Sequence, residues 1–282
     1  MASPRRILTE RGLAAHKGLG QNFLADPNTV RAILARGDLP LDRPILEIGP
    51  GLGALTRPLL EAGYRVTAVE VDRGLARYLE EELSPVFPHR FRIVAADILS
   101  LDWAELMAGP DPGFNLVGNL PYLISSPVVV RLVEHRQVVN SAVLMFQKEL
   151  ADRLKAGPGT KDYGRLSILL GYYARVEKLL DLGGEVFFPR PKVGSSVLKI
   201  VFKETPEPVL LSHSVFTTVV AAGFARRRKT LQNALRSALP AAEVSAALEA
   251  TGLDPGRRAE TLSVEEFVRL ANAFHDLRPD PA

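Results

Sequence analysis

Five apolar, strand-like segments alternate with amphipathic, helix-like segments between residues 44 and 146, and this alternation restricts the fold more than any other feature. The strand candidates are Pro44–Ile48, Arg65–Glu70, Phe91–Ala95, Phe114–Gly118 and Ser141–Phe146. Repeated strand–helix units predict an α/β fold with a mostly parallel sheet covered by helices on both faces. Ligands of such sheets bind beyond the carboxyl ends of the strands.

The pattern changes after residue 147 and becomes entirely helical after a proline-spaced segment. Strand candidates Arg175–Leu182 and Ser196–Phe202 precede the segment ETPEP (Glu204–Pro208), and amphipathic helices follow it. We therefore predict a first domain over residues 1–203, whose residues 1–25 form an N-terminal arm. A smaller, all-helical domain is predicted over residues 204–282.

Composition excludes several classes of protein. The 282 residues contain no cysteine, which excludes disulfides and thiolate sites, and the five scattered histidines form no close pair, so no metal site is predicted. No apolar stretch is long enough to cross a membrane. We expect a cytoplasmic protein without a membrane partner.

The net charge of +3 is unevenly distributed along the chain. Residues 1–36 and 148–202 each carry a net charge of +4, residues 37–147 carry −5, and residues 203–282 are neutral overall. An acidic block between basic flanks fits a cationic ligand in the middle and a polyanion across the edges.

The segment ILEIGPGLGALT predicts a strand, a glycine turn and a helix that together bind a nucleotide-like ligand. Gly49, Gly51 and Gly53 permit close backbone approach. Glu70 ends the next strand, where a carboxylate meets a ribose diol in nucleotide-binding sheets, and Asp97 follows the third strand. A nicotinamide dinucleotide fits this pattern. Glu47, directly before the turn, favours the cationic ligand S-adenosylmethionine instead.

The segment Asn119-Leu120-Pro121-Tyr122 follows the fourth strand, at the same predicted edge as the glycine turn. An amine conjugated to an aromatic ring is a poor nucleophile, because its lone pair is delocalised. The Asn119 side-chain oxygen and the Leu120 carbonyl can accept both amine hydrogens, and the Tyr122 ring can stack on a base. Catalysis is then expected to rest on positioning and polarisation.

With these motifs in order, the chain resembles the small-subunit ribosomal RNA adenine dimethyltransferases, the bacterial kasugamycin-sensitivity family. The resemblance covers nearly the whole chain. Beyond EIGPGLGALT, VEVD and NLPYLISSP, it rests on HKGLGQNFLAD, FQKELADRLKA, YGRLSILL, FFPRPKVGSSV and FARRRKTLQNAL. It implies a Rossmann-like class I methyltransferase fold. It also implies S-adenosylmethionine as the donor of four methyl groups to two adjacent adenines, in the 3′-terminal hairpin of the 16S RNA of an assembling 30S particle.

The same resemblance implies roles for individual residues. Cofactor contacts fall on Asn22, Leu24, Gly49, Gly51, Glu70, Asp97 and Asn119, and target-base handling falls on Asn119, Leu120, Tyr122 and Phe188. RNA contacts are expected from the cationic residues Arg226, Arg227, Arg228, Lys229 and Lys192. Arg190 and Gly194 depart from the family pattern, which leaves the detail of the RNA contacts open. We expect a monomer, because the substrate is the surface of a large particle.

Three alternatives remain open from the sequence. One is the related large-subunit methyltransferase type that gives macrolide resistance. The second is a non-catalytic RNA-binding assembly factor on the same fold. The third is an oxidoreductase that uses a nicotinamide cofactor, although the later strands lack an evident histidine or lysine to handle a hydride.

Overall fold

The computed structural model describes residues 3–109, 113–226 and 228–277, with Lys17 described by its backbone alone. The strands are β1 (Phe23–Leu24), β2 (Ile45–Ile48), β3 (Val66–Glu70), β4 (Phe91–Ala95), β5 (Phe114–Asn119), β6 (Val139–Gln147), β7 (Ala174–Leu182), β8 (Phe187–Phe188) and β9 (Ser195–Phe202). The helices are α1 (Pro4–Glu10), α2 (Pro27–Gly37), α3 (Thr56–Glu61), α4 (Arg73–Leu83), α5 (Trp103–Leu106), α6 (Ser125–Glu134), α7 (Lys148–Lys155), α8 (Arg165–Tyr173), α9 (His213–Phe224), α10 (Leu231–Arg236), α11 (Ala241–Thr251) and α12 (Val264–Leu277).

The central sheet has seven strands in the order β4-β3-β2-β5-β6-β9-β7. Strands β4, β3, β2, β5 and β6 pair in parallel, and β9 pairs antiparallel with β6. The predicted α/β fold with a mostly parallel sheet is therefore confirmed. The chain runs outward from β2 to β4 and then returns to β5 on the other side of β2. The topological switch point of the sheet lies between β2 and β5, where ligands bind in folds of this class.

Buried apolar strands hold the sheet in the centre of its unit. All four residues of β2 are buried, as expected for a central parallel strand with helices on both faces. Helix α2 begins at Pro27, because the Asp26 carboxylate accepts hydrogen bonds from the backbone N–H groups of Asn28 and Thr29 and proline suits the first turn of a helix. The helix ends at Gly37.

The N-terminal arm has structure that the sequence analysis did not predict. Pro4–Glu10 form helix α1, which Ser3 caps by accepting a hydrogen bond from the Arg6 N–H. Strand β1 pairs antiparallel with β8, with Phe23 opposite Phe188. Serine followed by proline is a helix-start signal from which α1 could have been predicted. The two-residue pairing of β1 with β8 has no such local signal, because the partners lie far apart in sequence.

The chain divides into two compact units, whose boundaries differ from those predicted. The first comprises residues 1–151 and 176–202, and the second comprises residues 152–175 and 203–282. The longer segment of the second unit begins at residue 203, within one residue of the predicted boundary. The second unit also includes residues 152–175, which the prediction assigned to the first domain. The physical reason is packing: α8 contacts α9 and α12 within the second unit. No helix in the described ranges has the length and apolar character that crossing a membrane requires.

We expect Gly118→Ala to destabilise the sheet. A Cβ at this position of β5 would lie 2.8 Å from the Ile48 carbonyl oxygen of β2, and backbone in a central strand has little room to move. The free energy of unfolding in urea should fall by roughly 1–3 kcal/mol. Gly171→Ala in α8 is the matched control, because its Cβ would meet only Val264 at an ordinary 3.6 Å. Equal stability of the two variants would contradict this account of the packing.

Candidate functional site

A cleft opens at the carboxyl ends of the parallel strands of the first unit, where the sequence predicts it. Its walls are the glycine turn after β2, the turn after β5, the residues that follow β3 and β4, and the segment Gly18–Leu24. Nine of the predicted site residues line this cleft: Asn22, Leu24, Gly49, Gly51, Glu70, Asp97, Asn119, Leu120 and Tyr122. The tertiary structure thus gathers residues that are spread over a hundred positions of sequence.

The glycine turn is folded tightly against its neighbours. Gly51 has a φ of 58°, and a Cβ there would lie 2.9 Å from the Phe23 ring, so a larger residue meets both strain and a collision. The backbone N–H of Gly51 donates a 3.0 Å hydrogen bond to the Glu70 carboxylate. The absence of a side chain at Gly51 therefore lets the arm, the turn and β3 meet at one point.

Glu70 ends β3 with a buried carboxylate that the backbone holds in place. One oxygen accepts the Gly51 N–H, and the other accepts the Asp72 N–H at 3.0 Å. Burial raises the pKa of this carboxyl above its ordinary value. Each oxygen keeps a second acceptor position, so the group can still bind a hydroxyl in the cleft.

Glu47 is a second buried carboxyl, located at the end of the central strand β2. Its side chain lines the cleft with only 2% of its surface exposed. The Oε2 atom has no hydrogen-bond partner among the described residues. Burial raises the pKa of Glu47 to about 8, and the nearby charge of Glu70 adds to the rise. The carboxyl is therefore poised to accept a donor or a positive charge from a bound ligand.

The cleft is lined by acidic side chains. Its charged lining residues are Glu47, Glu70 and Asp97, and no lysine, arginine or histidine lines it in the described part of the chain. Apolar side chains such as Val71 and Ile98 follow the acids directly and complete the walls. The cleft suits a ligand that combines a flat apolar ring, hydroxyl groups and positive charge. The sequence analysis did not select Val71 or Ile98, although their position directly after an acid at a strand end is the signal for them.

Asn119 is fixed by the N-terminal segment. Its amide nitrogen donates a 2.8 Å hydrogen bond to the Asn22 carbonyl, which leaves the side-chain oxygen as an acceptor. The turn that follows packs on the glycine turn, since a Cβ on Gly49 would lie 3.8 Å from Cδ of Pro121 and 4.0 Å from the Asn119 carbonyl oxygen. The two turns that the sequence analysis placed at one sheet edge are thus in contact.

The aromatic pair Phe187-Phe188 differs from the sequence-based expectation. Phe187 is buried and lines the cleft, whereas Phe188 is absent from its lining and packs on the cluster of Leu8, Phe23 and Leu75. Successive residues of a strand point to opposite faces, so only one ring of the pair can face the cleft. The base-handling role expected of Phe188 therefore has no support from this arrangement, and Phe187 holds the corresponding position.

The predicted RNA-contacting residues lie outside the cleft. Arg226, Arg228 and Lys229 are exposed in the turn between α9 and α10, while Arg227 lies outside the described residues. No ion pair from the described ranges engages these three cations. They follow the C-terminal end of α9, whose carbonyls favour positive charge, and they directly precede Thr230, which caps the start of α10. Lys192 is exposed in the loop between β8 and β9 of the first unit.

Comparisons with known proteins agree on one family. The family model for ribosomal RNA adenine dimethylases matches residues 12–276. The ribosomal RNA small subunit methyltransferase A of Myxococcus xanthus is 44% identical over 282 residues, which cover 99% of this chain and 98% of that protein.

Two solved structures resemble the chain over most of its length. A dimethyladenosine transferase from Plasmodium falciparum superposes with a TM-score of 0.76 at 25% identity, covering 90% of this chain and 98% of that one. The 23S rRNA methyltransferase ErmE superposes with a TM-score of 0.64 at 30% identity, covering 89% and 99%.

We expect Glu47→Gln to stabilise the ligand-free protein at neutral and higher pH. The wild-type folded state retains a proton on Glu47 that the unfolded chain has lost, so the free energy of unfolding falls as the pH rises from the ordinary carboxyl range to about 8. Glutamine removes this loss and should raise stability at pH 8 by about 2–5 kcal/mol, with little effect at pH 4.

Urea denaturation at several pH values measures the effect. Glu80→Gln, at an exposed position of α4, is the matched control and should leave the pH dependence unchanged. A residual slope in Glu47→Gln is expected, because the pKa of Glu70 is also raised. Parallel pH curves for the wild type and Glu47→Gln would show that Glu47 is not protonated in the folded state.

Proposed function

The chain belongs to the ribosomal RNA adenine dimethylase family, and from this premise we propose that it methylates adenines of small-subunit ribosomal RNA with S-adenosylmethionine as donor. The targets are two adjacent adenines in the 3′-terminal hairpin, each methylated twice on the exocyclic amine. The observation that carries the proposal is the contact between an acidic, glycine-lined cleft and the Asn119–Tyr122 turn.

The residues of the cleft fit the methyl donor. The donor supplies a methyl carbon on a sulfonium: the adenine nitrogen forms the new N–C bond, the C–S bond breaks, and the nitrogen's proton leaves to water. Glu70, fixed by two backbone N–H groups, binds the ribose hydroxyls. Glu47, with one oxygen free of protein partners, releases its proton when a cation binds, because a nearby positive charge lowers the pKa that burial has raised. Asp97 accepts from the adenine amine of the donor.

Asn119 and Leu120 orient the nucleophile. The hydrogen bond from the Asn119 amide nitrogen to the Asn22 carbonyl turns the side-chain oxygen into a fixed acceptor. That oxygen and the Leu120 carbonyl hold the two amine hydrogens, which draws the nitrogen towards tetrahedral geometry and frees its lone pair. No strong general base is needed, because the proton leaves after the new bond has formed. The chemistry therefore depends on positioning and polarisation.

Aromatic rings capture the target base after it leaves its stack. Tyr122 is half-buried in the cleft wall, and Phe187 is the second ring that lines the cleft. A base held between rings regains some of the stacking that it loses on leaving the RNA, which costs a few kcal/mol. The exposed cations Arg226, Arg228 and Lys229 of the second unit bind RNA phosphates, and Lys192 of the first unit has the same role.

Similarity to known proteins favours the small ribosomal subunit over the large one. The 23S rRNA methyltransferase is 30% identical to this chain, whereas the small-subunit methyltransferase of Myxococcus xanthus is 44% identical over nearly its whole length. This similarity supports small-subunit RNA as the substrate. We propose further that the substrate is an assembling 30S particle in the cytoplasm, and that the chain acts as a monomer because the substrate is the surface of a large particle.

Methyl transfer from radiolabelled S-adenosylmethionine to purified immature small subunits tests the proposal, with large subunits in a parallel reaction. Label should appear as dimethyladenine in small-subunit RNA alone. Glu70→Ala should abolish incorporation while leaving subunit binding largely intact, which separates an enzyme from a non-catalytic assembly factor. Label in large subunits would favour the macrolide-resistance type, and no incorporation by the wild type would end the proposal.

We expect Asn119→Ala to impair turnover more than cofactor binding. Alanine removes the acceptor that polarises the amine, so kcat should fall about 100- to 1000-fold, the range typical of losing one transition-state hydrogen-bond partner. Affinity for the donor, measured by calorimetry, should change by only a few fold. Loss of donor affinity to the same degree as kcat would show that Asn119 serves the cofactor and not the amine.

We expect Tyr122→Phe to be mild and Tyr122→Ala to be severe. Base stacking requires the ring and not the hydroxyl, and one stacked base is worth about 1–3 kcal/mol. Alanine should therefore raise the KM for subunits, whereas phenylalanine should leave it near the wild-type value. Steady-state kinetics at varied subunit concentration gives both numbers. If the two changes were equally damaging, the hydroxyl would have a role of its own.

A further inference from the structure

Leu123 is an exposed apolar side chain at the mouth of the cleft. It has 70% of its surface accessible, more than any other large apolar residue in the described part of the chain. It lines the cleft directly after Tyr122 and before α6. An exposed leucine is common on protein surfaces. This one stands next to the ring that we propose to capture an adenine.

The backbone on both sides of Leu123 is anchored. Leu120 and Ser125 are each only 2% exposed. The Pro121 carbonyl accepts hydrogen bonds from the Ile124 N–H at 3.1 Å and from the Ser125 hydroxyl at 3.0 Å. The turn therefore fixes the buried residues Leu120 and Ser125, and it leaves the Leu123 side chain exposed to solvent at a defined position.

Removal of a base from an RNA stack leaves an apolar gap between its neighbours. Proteins that unstack bases commonly insert an apolar side chain at the opened step. A gap of this kind must form beside the cleft mouth whenever an adenine enters the cleft. Leucine has the size and apolar character to fill it, and the gap would cover apolar surface that is otherwise in water.

We propose that Leu123 enters the RNA stack in place of the extracted adenine and so holds the target base in the cleft. This inference rests on the proposed function, since it assigns a positioning residue for the same reaction. Leu123 touches neither the methyl donor nor the amine in this assignment. It acts on the equilibrium between the stacked and the extracted base.

The test compares Leu123→Asn, Leu123→Met and Leu41→Asn in methyl transfer to purified immature small subunits. Leu41 is the matched control, because it is 59% exposed in the loop before β2, at the other end of the strands. Leu123→Asn should lower kcat/KM for subunits roughly 10- to 100-fold, the factor expected when the burial of one leucine side chain is lost. Leu123→Met keeps an apolar side chain of similar volume and should restore most of the rate.

Two further measurements separate this role from a structural one. Calorimetric affinity for S-adenosylmethionine and the melting temperature should be the same for all four proteins, because the side chain is exposed and anchored neighbours hold the turn. Wild-type kcat/KM in Leu123→Asn would overturn the inference. A loss that Leu123→Met shares in full, or a parallel loss of donor affinity, would overturn it as well.

The outcomes also distinguish the inference from its premise. If the wild type transfers no label to adenine, the proposed function fails and the inference fails with it. If the wild type labels adenine and Leu123→Asn does so equally well, only the role of Leu123 is wrong.

Discussion

The parallel pairing of β2 with both β3 and β5 is the constraint on which the site depends. It makes β2 the central strand and puts the switch point of the sheet between β2 and β5. Three strands consequently end side by side, and each delivers one polar group: Glu47 from β2, Glu70 from β3 and Asn119 from β5. Every residue of β2 is buried, so the strand that carries Glu47 packs in the core on both of its faces. The geometry of the cleft is thus tied to the stability of the core.

The cleft contains two buried carboxyl groups, which an apolar core would not tolerate elsewhere. Carboxyl groups are buried at Glu47 and Glu70, and their pKa values rise because burial disfavours charge. Glu70 is compensated by backbone N–H donors from Gly51 and Asp72, whereas one oxygen of Glu47 has no protein partner. A cationic ligand would relieve the cost of burying the Glu47 carboxyl, because it would supply the missing partner. Sites of binding often carry such local instability, because the ligand supplies the missing interaction.

The N-terminal segment is part of the site rather than an appendage to it. The Asn22 carbonyl orients the Asn119 amide, Phe23 fills the space that Gly51 leaves open, and β1 pairs with β8. Asn22 and the adjoining strand β1 therefore link the two turns of the cleft with the segment that carries Phe187.

Sequence alone determined the α/β class, the order of the motifs along the chain and nine of the residues that line the cleft, of which Asn22 and Leu24 came only from the resemblance to the family. The signals in the residues themselves are local, because hydrophobic periodicity, glycine turns and helix caps act over a few residues. Tertiary structure decided what depends on partners distant in sequence. It paired β1 with β8, assigned residues 152–175 to the helical unit, and turned Phe187 into the cleft while Phe188 packs on Leu8 and Phe23. The physical reason is that burial and strand register are properties of the whole fold, and a stretch of sequence does not reveal which of two adjacent rings will face a cleft until its pairing partner is known.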